Sequence, residues 1–156
     1  MYRKILAPLD GSAFSECALE HVKAIASGCA VPHVVLLRVV EPIHPTELST
    51  YIEAGIDTTL LMRETRQAAE AYVSRMTAQL QAAGLTAEGV IATGRAADEI
   101  LGYAAGNGVD LIIMSTHGRG GVGRWFMGSV TDKVVRHAVA PVLTVAPPGC
   151  RVDEPE

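Results

Sequence analysis

Short β-branched runs alternate along this chain with stretches whose apolar residues recur at helical spacing. Tyr2 to Pro8 (YRKILAP) is a strand-length run that ends at the turn Asp10-Gly11-Ser12. Phe14, Ala18, Val22 and Ile25 follow at three- and four-residue intervals and predict one face of a helix, stopped by Ser27-Gly28. His33 to Val40 (HVVLLRVV) has the continuous apolar character of a strand covered on both faces. Glu41 to Ile56 contains Pro42 and Pro45 and reads as a loop with at most one irregular turn. Leu61, Ala68, Tyr72, Met76 and Leu80 predict the buried stripe of a long helix with Gly84 as its cap. Val90 and Ile91 mark a third strand, and Ala97 to Ala105 a short helix ended by Gly106-Asn107-Gly108. Val109 to Met114 (VDLIIM) is a buried-type strand and Ser115 to Met127 a glycine-rich loop. Ser129 to Ala138 (SVTDKVVRHA) then reads as a helix and Pro141 to Ala146 (PVLTVA) as a final strand.

Five strands alternating with four helices predict an α/β fold: a single-domain, open, doubly wound, five-stranded parallel sheet of Rossmann-like type with helices on both faces. Ligands of such sheets bind beyond the carboxyl ends of the strands, where the winding reverses. That rule points to the turn at Asp10 and to the loop from Ser115 to Gly128. Both would overhang one crevice if strands one and four are neighbours, an adjacency the local pattern leaves open.

Composition narrows the classes of partner. At 156 residues, 49% of them apolar and 19% charged, the chain suits one domain with a real core. The expected boundaries are 1–147 for the domain and 148–156 for a short acidic tail. Aromatics are only 4%, so Ala, Val, Ile and Leu must build that core. A net charge of −4 argues against sequence-independent binding of nucleic acid, which needs a surplus of Lys and Arg. Cys17, Cys29 and Cys150 share no metal-ligand or disulfide spacing, and His21, His33, His44 and His137 are scattered, so no metal site is expected. No apolar run approaches ~18 residues, and no signal-peptide core follows Met1, which predicts a soluble cytoplasmic protein with reduced thiols.

The charge is unevenly placed. Between Ser115 and His137, Arg119, Arg124, Lys133 and Arg136 face only Asp132, a local +3 against −7 for the remainder. This segment, STHGRGGVGRWFMGS from Ser115 to Ser129, carries five glycines and leads into a helix. Backbone amides that a ligand can approach closely, the unpaired amides and dipole at a helix start, and the hydroxyls of Ser129 and Thr131 together make a phosphate cradle. A plain surface loop with Ser129 as N-cap is the alternative reading of the same residues.

Gly118-Arg-Gly120-Gly-Val-Gly123 matches the dinucleotide fingerprint literally, but the helix begins only near Ser129 and no acidic residue ends the next strand. The GxxxxGK[ST] phosphate loop is absent, since no glycine-lysine pair occurs. No GxSxG nucleophile turn is present either. The cradle therefore belongs to another class.

The opening KILAPLDGS and the closing DLIIMSTHGRGGVGRWFMGSVTDKVVRHAVAPVLTV resemble the universal stress protein family, and the resemblance runs from Lys4 to Ala146. Nucleotide-binding members of that family carry Gly-x2-Gly-x9-Gly-Ser/Thr; this sequence has Ser115-x2-Gly118-x9-Gly128-Ser129, three of the four defined points. The resemblance implies an adenine nucleotide α-hydrolase-like fold that binds ATP, with Mg2+ expected only as the usual companion of a triphosphate. It places Pro8 and Asp10 beside the adenosine, Val39 with its backbone at the adenine, and Met114 and Ser115 at the ribose. Gly118, Gly128, Ser129, Val130 and Thr131 would hold the phosphates, with Arg119 as a further contact or a solvated charge. Ser115 departs from the family glycine: it adds a Cβ where backbone passes close to ligand, and a hydroxyl within reach of the ribose. The family also pairs its last strand across a two-fold axis, which implies a homodimer through Pro141 to Ala146.

The expected role is a nucleotide-dependent stress-response or signalling protein. A nucleotide-free relative acting through protein contacts and a slow ATPase are the alternatives. Any hydrolysis should be slow, because positioning groups are present while only His117 and Asp10 offer a base. Asp10 is also read as a turn former, and His117 as a loop-shaping residue. Cys17 is expected to be a buried small hydrophobe.

Overall fold

In the computed structural model, which describes residues 2–116 and 127–146, the five runs form β1 (Lys4–Pro8), β2 (His33–Val40), β3 (Ala87–Thr93), β4 (Leu111–Ser115) and β5 (Val142–Val145). All pair in parallel, in the order β3-β2-β1-β4-β5. The chain winds from β1 through β2 to β3 on one side, then crosses to β4 and β5 on the other. The reversal therefore lies between β1 and β4, which are paired at Ile5 with Leu111 and Leu6 with Ile112. The adjacency that sequence left open is present, and the turn after β1 and the chain leaving β4 emerge at one end of the sheet.

Strand side chains alternate between the two faces, and two separate cores result. Ile5, Ala7, Val34, Leu36, Leu111 and Ile113 face α2 (Ala18–Gly28) and α4 (Thr58–Ala82). Leu6, Val35, Leu37, Val39, Ile112 and Met114 face α5 (Ala96–Gly106) and α6 (Ser129–His137). Ile5, Leu6, Leu36, Leu37, Ile112 and Ile113 are fully buried, as strands covered on both sides require. The expected class, a doubly wound parallel sheet with helices on both faces, is the one observed.

The helices differ from expectation in four places. Six are found among the described residues rather than four. The first predicted helix is two, α1 (Ala13–Glu16) and α2, separated at Cys17; Ser12 caps α1 by accepting from the Ser15 amide at 3.2 Å. Cys17 is consequently only half-buried, and not the enclosed hydrophobe expected.

The predicted loop from Glu41 to Ile56 contains α3 (Pro45–Glu53). Its prolines suggested irregular chain, but Pro45 occupies the first turn, where a helix needs no amide and a fixed φ is favourable. His44 supplies the cap, with Nδ1 accepting from the Thr46 amide at 3.4 Å. In α4 the buried positions are Ala69, Val73, Met76, Thr77 and Leu80. Ala68 is exposed, one residue off the true stripe, and Leu61 and Tyr72 are only partly covered. Among the described residues no helix is long and apolar enough to cross a membrane.

Candidate functional site

Pro8 ends β1 with its ring buried, and Leu9 continues the strand direction through its amide, which donates to the Leu37 carbonyl at 2.9 Å. Asp10 then turns the chain. Its Oδ1 accepts from the Ser12 amide at 2.9 Å and from Ser12 Oγ at 2.6 Å, while its own amide donates to Ser15 Oγ at 3.3 Å. Gly11 at φ 85° completes the turn in the left-handed region where a Cβ is disfavoured. Asp10 thus builds the β1–α1 corner, as the turn-former reading holds, and stands half-buried at the switch point.

Behind this corner Tyr72 of α4 encloses its hydroxyl without a hydrogen bond of ordinary geometry. Burial first, and then the neighbouring Glu16 carboxylate, hold that hydroxyl protonated well above the usual tyrosine range.

Across the reversal, Ser115 ends β4 and is 5% exposed, so the Cβ that departs from the family glycine is accommodated at the flank of the strand. Its carbonyl accepts from the buried Thr131 Oγ1 at 2.9 Å, which ties the start of α6 to the end of β4. Thr116 continues β4 by donating to the Val145 carbonyl at 2.9 Å, and its own carbonyl accepts from Gly128 at 2.8 Å. Gly128, not Ser129, is the N-cap of α6, and it has no side chain with which to bond the first-turn amides. Ser129 is the first helical residue. A Cβ built on Gly128 would lie 3.3 Å from the Thr116 carbonyl oxygen, tight enough to require the chain to yield.

Val39 and Met114 lie at the carboxyl ends of β2 and β4 and share one core with Val130. At 6% and 5% exposure, Val39 and Met114 can offer a ligand little but backbone. The Val39 carbonyl also accepts from Arg38 Nη1 at 2.9 Å, leaving its second lone pair for any further partner. The structure thus brings Pro8, Asp10, Val39, Met114, Ser115, Gly128, Ser129, Val130 and Thr131 to the carboxyl end of the sheet. Gly118, Arg119, His117, Arg124 and the dinucleotide-like glycine run lie outside the described residues.

Beside this end of the sheet opens a cleft of about 1060 Å3 on the α5 and α6 side. Ser129, Val130 and Lys133 of α6 form one wall with Gly94, Arg95 and Ala97. The chain from Glu41 to Pro45, Glu47 and Tyr51 of α3, and Leu61, Met62 and Thr65 of α4 complete the lining. Charge in the cleft is fixed by two contacts between elements. The Glu41 carboxylate accepts from the Ala96 amide at 2.9 Å and so caps α5, whose own N-cap, Arg95, provides no side-chain bond. Lys133 bonds Asp98 across α5 and α6, and that hydrogen bond holds the exposed Asp98 carboxyl below the usual carboxylate range.

Sequence reading missed both contacts and the cleft. The absence of Ser, Thr, Asp or Asn ahead of Ala96 was the available signal that α5 takes its cap from elsewhere.

The universal stress protein MJ0577 of Methanocaldococcus jannaschii is 31% identical over 155 residues, covering 93% of this chain and 95% of its own. A solved structure of MJ0577 superposes with a TM-score of 0.80 at 32% identity, covering 99% of each chain. A universal stress protein of Thermus aquaticus is 34% identical over 146 residues, covering 93% of this chain and 99% of its own. The model of the universal stress protein family matches residues 1–146, and on that match, these relatives and the shared fold, the chain belongs to the universal stress protein family.

Proposed function

We propose that this chain binds ATP between the turn after β1 and the chain joining β4 to α6, and acts as a nucleotide-dependent stress-response or signalling protein. The observation that carries the reading is the start of α6. Among the described residues its first-turn amides receive no side-chain cap, and they open at the sheet's switch point beside a glycine with little room for a Cβ. A helix start of this kind favours an anion through its dipole and its unpaired donors.

In this reading Gly118, Gly128, Ser129, Val130 and Thr131 hold the phosphates with Arg119, and Pro8, Asp10, Val39, Met114 and Ser115 face the nucleoside. Mg2+ accompanies the triphosphate. Two fold relatives bear on the ligand class: a universal stress protein in complex with cAMP, at 20% identity and TM-score 0.65, and an Arabidopsis thaliana family protein with AMP bound, at 18% and 0.65. At those identities the likeness is one of fold, and the adenine nucleotide is carried to this chain as part of the proposal.

Mass spectrometry of gently purified protein is the direct test, with ATP expected in the sample. Titration with ATP and Mg2+ should then give a binding isotherm that Asp10→Ala weakens at least tenfold, with the fold retained. No bound nucleotide together with no thermal shift from ATP and Mg2+ would favour a nucleotide-free protein acting through its surfaces.

We further infer a homodimer through the edge strand. One side of β5 pairs with β4 and the other ends the sheet, and nearby Val139 is 74% exposed. The unpaired backbone groups on the outer side of an edge strand can pair with another chain. Size-exclusion chromatography with light scattering should give the mass of two chains, and a stable monomer at micromolar concentration would refute the dimer.

A further inference from the structure

The α3 helix is an anomaly in an otherwise well-packed fold. It is nine residues long and buries none of them. Helices this short are marginal on their own and depend on packing for stability, yet among the described residues α4 is the one element that α3 contacts substantially. What holds it is local: the His44 cap, Pro45 in the first turn, and a reversal at Gly55, whose φ of 70° suits glycine. Its sides differ. Pro45, Glu47 and Tyr51 line the cleft, whereas Leu48 and Ile52 are left 39% and 64% exposed on the outside. Among the described residues Tyr51 is the one Phe, Tyr or Trp in the cleft lining, and it is the one partly covered residue of the helix.

The same cleft is lined by Ser129 and Val130, the residues at which the phosphates are proposed. A cleft of about 1060 Å3 sits at the upper end of small-molecule sites. On one side of it α3 buries none of its residues, and segments with few buried contacts open and close at low free-energy cost. The rest of the lining comes from the chain between β2 and α3, from Gly94 and Arg95, and from α4, α5 and α6.

We propose that α3 is a lid beside the nucleotide site, hinged at Glu41–His44 and Gly55, and that Tyr51 is its ligand-contacting residue, closing over a nucleotide whose phosphates lie at the start of α6. The proposal rests on the nucleotide-binding reading above. Tyr51 acts through the packing of its ring and not through its hydroxyl. Closure adds contact after the ligand has arrived, and so it slows departure more than arrival.

Hydrogen exchange by mass spectrometry on the full chain, with and without saturating ATP and Mg2+, tests the lid. Exchange in 45–53 is expected to slow at least tenfold together with exchange in 127–137. In stopped-flow displacement Tyr51→Ala should release ATP about tenfold faster with association nearly unchanged, Tyr51→Phe should match the parent protein, and the outward Ile52→Ser should change neither rate. Protection of 127–137 without any change in 45–53, or a Tyr51→Ala release rate equal to that of the parent, overturns the lid and leaves the nucleotide site standing. Absence of ATP binding by calorimetry overturns both.

Discussion

Gly89→Ala should lower the unfolding free energy by about 1–3 kcal/mol, the range for a methyl forced against well-packed neighbours. Gly89 sits mid-strand in β3, where glycine is ordinarily unfavourable. Its reason is α4. A Cβ at this position would lie 2.3 Å from Val73 Cγ1 and 2.8 Å from Thr77 Oγ1. Val73 is 3% exposed and β-branched, so in a helix it is confined to one rotamer and cannot swing away. Helix and strand must separate instead, and Val73, Met76 and Leu80 would lose contact with the sheet together. Urea denaturation of Gly89→Ala, Val73→Ala and the double variant measures this. The double variant is expected to be markedly more stable than the two single losses added together, because the second change vacates the space the first one fills. Additive losses would show that the close approach of α4 to β3 is not what selects glycine there.

That glycine illustrates how the fold was legible and where it was not. Strand runs such as His33–Val40 announce themselves because both faces are covered and every residue in them must be apolar. The alternation of elements then implies a parallel sheet without further information. The pairing of β1 with β4 is a contact between residues more than a hundred positions apart, and no local pattern records it. The buried stripe of α4 was misplaced by one residue at Ala68 because Ala, small and indifferent to burial, gives the period no sharp mark. The α3 helix was read as loop because it buries nothing, so the apolar periodicity that betrays other helices is replaced by an end-capping signal at His44-Pro45.

The same division holds at the site. Asp10, Ser115 and Gly128 could be proposed from sequence because turn and helix-start chemistry is local, written in adjacent residues. Glu41 was not, because it caps α5 across 55 positions. Nor was Tyr51, whose place in the cleft depends on α3 existing. Pattern located the groups proposed to meet phosphate, while the lining of the neighbouring cleft is tertiary and no local pattern records it.

Gly128→Val should weaken ATP binding ten- to a hundredfold, about 1.4–2.7 kcal/mol, while the protein still folds. Folding survives because Gly128 lies at φ −55° and ψ 148°, a conformation open to any residue, so no backbone strain is introduced. Replacing glycine by valine at an N-cap costs about 1 kcal/mol of helix stability, small beside the two cores. Binding suffers for a different reason. The added Cβ meets the Thr116 carbonyl at 3.3 Å, and the Gly128 amide is itself bonded to that carbonyl at 2.8 Å. Relief therefore moves the amides at the start of α6 relative to β4, against the tether of Thr131 Oγ1 on the Ser115 carbonyl. Donors that must converge on a phosphate within a few tenths of an ångström tolerate such a shift poorly. The branched methyls also stand next to the uncapped amides, where the anion is proposed to lie. Gly128→Ala, carrying the Cβ without the branch, should fall between valine and the parent, and Thr131→Ser, which keeps the tethering hydroxyl, should bind within about twofold of the parent, a difference well under 1 kcal/mol. Calorimetric titration with ATP and Mg2+ ranks the series, and equal affinity for the valine variant and the parent would place the phosphates away from α6.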